Sequence, residues 1–181
     1  MIYIIRHGQT DWNIEGKIQG CTDIPLNETG RKQAKELANK IKSLEIDNFF
    51  SSDLLRAKET AKIINEDLKM SITFDKRLRE INYGDFEGTL KNNISQEMWD
   101  TFNFFPEKLN AEPKEVAFER VKSFFMEFKH IDSNILIVTH GGLLKVMMYY
   151  FDNHDLFSNT EYLMKYNRLK INNAEIFEID L

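Results

Sequence analysis

A single cysteine, Cys21, stands among 181 residues, so no intrachain disulfide can form and no cysteine-based zinc site can be built. Nor is Cys21 placed as a catalytic thiol. Phosphate-cradling cysteine loops close on an arginine, and residues 22–27 contain nothing basic. It reads as a small loop or semi-buried residue. The three prolines mark local boundaries rather than a linker, and no repeat or low-complexity tract is present. No apolar run is long enough for a membrane span or a signal peptide, since residues 1–5 meet Arg6 at once; the expected address is the cytoplasm. A basic excess is also missing. With 24 Lys and Arg against 29 Asp and Glu, the net charge of −5 argues against nucleic acid as a partner, so any basic residues that matter must be few and focused.

What is present is material for a core. Apolar residues make up 42% of the chain and 14 are Phe, which fits one compact domain over residues 1–181. Residues 1–5 and 134–139 are continuous β-branched apolar runs of the kind buried on both faces of a sheet. Residues 48–51 and 71–74 are weaker strand candidates. Helical spacing runs from Asn27 through Leu44, over 54–68, over 115–131 and over the short apolar stretch 143–151. The tail 169–181 reads as two short strands around an Asn172-Asn173 turn. Strands alternating with helices predict an α/β three-layer sandwich with a mostly parallel central sheet flanked by helices. Ligands of such sheets bind outside the carboxyl ends of the strands.

Those ends carry the chemistry. The first strand ends Arg6-His7-Gly8 and the strong later one Thr139-His140-Gly141-Gly142. The 48–51 strand leads into a helix whose first turn holds Arg56, where a cation is disfavoured by the helix dipole unless an anion compensates it. If the strands are parallel, two imidazoles and two guanidiniums meet at one sheet edge. Arginine forks match phosphate oxygens. Glycines after both histidines let backbone amides approach, and a neutral imidazole can carry a phosphoryl group. Metal ligation by the two histidines is the weaker use, because Arg6 beside His7 repels a cation. A leaving oxygen also needs a proton donor, and the turn-rich stretch 77–88 offers Glu80, Asp85 and Glu87. Spacing does not choose among them.

At these residues the sequence resembles the histidine phosphatase superfamily, also called phosphoglycerate mutase-like. The run Ile5-Arg6-His7-Gly8-Gln9-Thr10-Asp11-Trp12-Asn13 is similar to its signature. The likeness continues through Gly16, Gln19-Gly20, Asp23, Pro25-Leu26, Gly30 and Gln33-Ala34. It resumes at residues 51–57, 78–80, Gly84, Glu87-Gly88 and 138–142, nearly the whole chain in order. The resemblance implies that His7 is the phosphorylated nucleophile. It implies that Arg6, Arg56 and His140 hold the phosphoryl group, that Asn13 adds a contact, and that Gln19, Gly20 and Gly141 line the phosphate site. It makes Glu80 the proton donor and later the base for water, leaving Glu87 a surface or loop-bracing carboxylate. No cofactor or metal is implied.

By length the chain is similar to the short phosphatase branch, which includes α-ribazole-5′-phosphate phosphatases and phosphatases of sugar phosphates and phospho-amino acids. The expected activity is therefore a metal-independent phosphatase acting on a small soluble phosphomonoester, with neither nucleic acid nor membrane as partner. Two other readings stand beside it: a mutase-type phosphotransferase, and a non-catalytic sensor of phosphorylated metabolites, which the complete residue set disfavours. One departure concerns the substrate. Many short members carry a Gly-Glu-Ser loop where this chain reads Leu109-Asn110-Ala111-Glu112-Pro113-Lys114-Glu115. The aromatic run at 98–105 just before it is either an apolar wall of the pocket or a helix packed on the core, and the second reading is preferred.

Overall fold

The computed structural model describes residues 1–129, 132–153 and 157–180. A five-stranded sheet forms its centre, in the order β3-β2-β4-β1-β5. The strands are β1 (Ile2–Arg6), β2 (Asn48–Ser51), β3 (Ile72–Phe74), β4 (Ile135–Thr139) and β5 (Ile176–Ile179). β1, β2, β3 and β4 run parallel, and β5 lies antiparallel to β1. In register, Ile5 faces Val138 and so does Ser51, which brings the carboxyl ends of β1, β4 and β2 level.

The alternation of strand side chains builds two cores. Tyr3, Ile5, Leu136 and Val138 pack against Leu37 and Ile41 of α2 (Glu28–Ile41) and Ala57, Ala61 and Ile64 of α3 (Leu55–Leu68). Ile2, Ile4, Ile135 and Ile137 face the other way. They meet Phe118, Val121 and Phe124 of α5 (Lys114–Met126) and Leu143, Leu144 and Met147 of α6 (Gly141–Asn153). The three-layer sandwich expected from the sequence is the observed fold. Each full burial of an Ile, Leu or Phe side chain contributes about 1.5–3 kcal/mol, so the sheet's two faces are its main anchor.

Shorter helices complete the chain: α1 (Asp11–Glu15), α4 (Gln96–Phe104) and α7 (Asn159–Lys165). α2 starts one residue after Asn27, whose side chain accepts from the Gly30 amide at 2.8 Å, and ends at Ile41, short of Leu44. α5 begins one residue earlier than expected and ends at Met126; Ile131 lies outside the described residues, as does Leu181. The tail differs from its expected hairpin. Only β5 is a strand, and its partner is β1. The first arm, 169–171, forms no strand: Arg6 holds the Ile171 carbonyl, and the side-chain amide of Asn173 in the expected turn reaches the His7 loop instead.

Candidate active site

β1 delivers Arg6 and His7, β4 delivers His140, and the turn after β2 delivers Ser52 and then Arg56. The His7 amide donates to Thr139 O at 3.0 Å and the Ser52 amide to Val138 O at 2.9 Å, so these segments extend the ladder together. The His7 and His140 rings lie 5.1 Å apart. The expected convergence of two imidazoles and two guanidiniums is present.

The tautomer of His7 follows from its neighbours. Nδ1 faces the Gly8 carbonyl at 2.7 Å, an acceptor, so Nδ1 carries the proton. Nε2 then holds a lone pair, and Arg56 Nε donates to it at 3.2 Å. Burial first, then the charges of Arg56 and Arg6, hold His7 well below the usual histidine range. Burial, Arg56 and His7 do the same to His140. Both rings are therefore neutral near pH 7. His140 Nε2 lies 2.8 Å from Ser52 Oγ.

Arg56 is 1% exposed, although it sits in the first turn of α3. Its remaining donors hold the Thr22 carbonyl at 2.9 Å and the Gly20 carbonyl at 2.6 Å. That loop is itself held by Glu87, whose carboxylate accepts from the Cys21 and Thr22 amides (both 2.8 Å), Thr22 Oγ1 (2.5 Å) and the Tyr83 amide (3.1 Å). Of the two roles left to it, surface or loop-bracing, Glu87 takes the second. Asp85 faces Asn110 on an exposed edge. Glu80 alone of the three carboxylates lines the cavity. It accepts from the Ile81 (3.0 Å), Gly142 (2.9 Å) and Leu143 (2.8 Å) amides, the last two at the N-terminus of α6. A Cβ on Gly142 would lie 2.5 Å from Glu80 Oε1, so this seat requires glycine.

The His7 loop is seated by a second close approach. A Cβ on Gly8 would lie 2.5 Å from Gly30 O, and one on Gly30 would lie 2.1 Å from Gln9 O. Gly8 N donates to Thr60 Oγ1 at 3.0 Å. Asn13 forms a capping box with Thr10, and its Oδ1 also accepts from Asn173 Nδ2 at 3.1 Å. The same Asn173 amide holds the His7 and Gly8 carbonyls at 3.1 and 3.3 Å.

A cavity of about 550 Å³ opens on this cluster, lined among others by Arg6, His7, Asn13, Gln19, Gly20, Arg56, Glu80 and Gly141. His140 stands behind them, fully buried. Buried polar atoms without a partner among the described residues include Arg6 Nε, Gln19 Oε1 and His140 Nδ1. Such orphans cost about 1–3 kcal/mol each, and two of them belong to Arg6 and Gln19, which line the same cavity as His7, so a polar ligand there would relieve them. Cations dominate the walls. Lys17, Lys91, Lys114, Lys145 and Lys170 join the two arginines, against the single carboxylate of Glu80. An acidic protein thus focuses positive potential in one cleft.

The lysines, Tyr83 and the 169–173 segment were not singled out from the sequence. Lys145 had a readable signal, being the only charge in the apolar run from Gly141 to Phe151. The aromatic run serves both proposed purposes. Trp99 and Phe102 pack against Phe86 and also line the cavity, while Phe104 and Phe105 are exposed.

Known proteins resemble this chain in sequence and fold. The family model of the histidine phosphatase superfamily (branch 1) matches residues 2–180. An uncharacterised phosphatase, PhoE of Bacillus subtilis, is 37% identical over 149 residues, covering 81% of this chain and 75% of the relative. YhfR of Bacillus stearothermophilus superposes with a TM-score of 0.80 at 30% identity, covering 99% of this chain and 91% of the other. A mutant phosphoserine phosphatase of Entamoeba histolytica, in complex with phosphoserine, gives 0.80 at 26% identity over 97% and 87%. With a family model matched over residues 2–180, the chain belongs to the histidine phosphatase superfamily.

Proposed function

We propose that the protein is a phosphomonoesterase that works through a phosphohistidine on His7. The observation that carries this reading is the unprotonated Nε2 of His7, fixed by the Nδ1–H bond to Gly8 O and set between Arg6 and Arg56. Nε2 attacks phosphorus in line. The N–P bond forms as the ester P–O bond breaks, and the leaving oxygen takes a proton from Glu80. A monoester bound as its monoanion brings that proton to the carboxylate. Arg56 releases Nε2 and, with Arg6 and His140, holds the phosphoryl oxygens; Asn13, Gln19, Gly20 and Gly141 complete the phosphate cradle. In the second half, Glu80 takes a proton from the attacking water and the N–P bond breaks. Inorganic phosphate and a neutral imidazole result.

The relatives named as phosphatases support hydrolysis, and a soluble sugar phosphate, phospho-amino acid or α-ribazole phosphate suits the cavity size. Arg56 on the Nε2 lone pair disfavours a metal at His7, and the reading needs none. The test is phosphate release from a panel of monoesters in the presence of a chelator. Turnover is expected in the wild type and lost in His7→Ala. Release by that variant at near the wild-type rate, or loss with chelator and recovery with zinc or iron, overturns the mechanism.

A further inference from the structure

Arg6 and Glu80 act electrostatically on both Lys91 and Lys145. Lys114 stands apart, and Glu115 is the charge that acts on it. A chain of contacts through Tyr83 and Phe102 joins it to the Glu80 end of the site. The Tyr83 hydroxyl abuts Gly142 beside the Glu80 carboxylate, Phe102 stacks on Tyr83 at 5.0 Å, and the Lys114 ammonium lies 4.6 Å from the Phe102 ring.

Three features make Lys114 costly as a purely structural residue. It is 7% exposed, and a buried ammonium loses hydration. It is the first residue of α5, where the helix dipole opposes a cation. It has no carboxylate in ion-pair contact among the described residues. Its partners are Asn103 Oδ1 at 2.6 Å and the faces of Phe102 and Tyr162, at 4.6 and 5.9 Å. Burial pulls its pKa down to about 8, so the ammonium persists near neutrality, and Lys114 is among the residues that line the cavity.

We propose that Lys114 is a second anion site of this cavity: the substrate is a phosphomonoester bearing a further carboxylate or phosphate, which the Lys114 ammonium binds while the connecting atoms lie against Trp99 and Phe102. This rests on the phosphomonoesterase reading above. It places the determinant of substrate choice on the 109–115 segment, where the chain lacks the Gly-Glu-Ser loop common in short relatives.

The test compares matched substrates with the full chain. Phosphoserine is set against phosphoethanolamine, which lacks the carboxylate, and fructose 1,6-bisphosphate against fructose 6-phosphate. A charge-assisted contact in a desolvated site favours the doubly anionic member of at least one pair by about 10- to 100-fold in kcat/KM, mainly through KM. The first pair reports a carboxylate and the second a phosphate. Lys114→Met brings that ratio towards one, and Lys114→Arg retains it. A mere structural tie between α4 and α5 predicts loss on all substrates alike with the ratio unchanged. That result, or a wild-type ratio near one in both pairs, overturns the proposal; the wild-type ratio decides even if Lys114→Met does not fold. Absence of turnover on every monoester refutes the phosphomonoesterase reading instead.

Discussion

Replacing Glu87 by Ala tests whether Arg56, proposed above as a phosphate ligand, depends on a brace that is not part of the cavity lining. The carboxylate accepts from the Cys21, Thr22 and Tyr83 amides and from Thr22 Oγ1. Hydrogen bonds to a charged acceptor contribute about 1.5–3 kcal/mol each. The site is partly exposed and water replaces some of them, so a net loss of about 3 kcal/mol is expected. For a chain of this length that is a fall of about 6–12 °C in Tm. The functional effect travels through the Gly20 and Thr22 carbonyls, which hold two of the Arg56 donors. A guanidinium displaced by about 1 Å costs about 100-fold in kcat. Thermal melts and steady-state hydrolysis of p-nitrophenyl phosphate measure both effects. Glu87→Gln should fall between, since its amide group meets one of the N–H donors head-on. If Glu87→Ala stays within about 0.5 kcal/mol in stability and twofold in kcat, the bracing account is wrong.

Two further outcomes follow from packing and charge. Gly30→Ala sets a methyl 2.1 Å from Gln9 O, against backbone that cannot yield cheaply; a loss of at least about 2 kcal/mol, read from urea melts, is expected together with impaired turnover. The buried histidines make stability acid-sensitive. His7 and His140 stay neutral when folded but protonate near pH 6.5 when unfolded, so their stabilisation is complete above that pH. It falls as the pH drops below it, by about 1 kcal/mol per histidine per pH unit. Urea midpoints measured from pH 7.5 to 5.5 should decline in the wild type and decline less in His140→Asn; equal slopes contradict the neutral-histidine assignment.

Much of this was legible in the sequence, for a physical reason. β1 and β4 are buried on both faces, so their runs are apolar without interruption, and His7 and His140 end them visibly. Arg56 stood out because a first helical turn disfavours a cation. The carboxylates at 80, 85 and 87 could not be ranked, because their roles depend on amides from distant segments: Gly142 for Glu80, Cys21 for Glu87. The tail was misread for the same reason. Asn172-Asn173 has the composition of a hairpin turn, yet Asn173 spends its amide on His7 and Gly8, 166 and 165 residues away. Lys114 sits in a charged run that looks solvated, and only packing against Phe102 and Tyr162 buries it.

The most direct test is to trap the enzyme during turnover of p-nitrophenyl phosphate by rapid alkaline quench and map the modified peptide by mass spectrometry. The account predicts one added phosphoryl group on His7, stable in alkali, labile in acid, formed and lost at rates compatible with kcat and absent from His7→Ala. Steady turnover with no phosphoryl group on His7 at any quench time, or with the group on another residue, contradicts it.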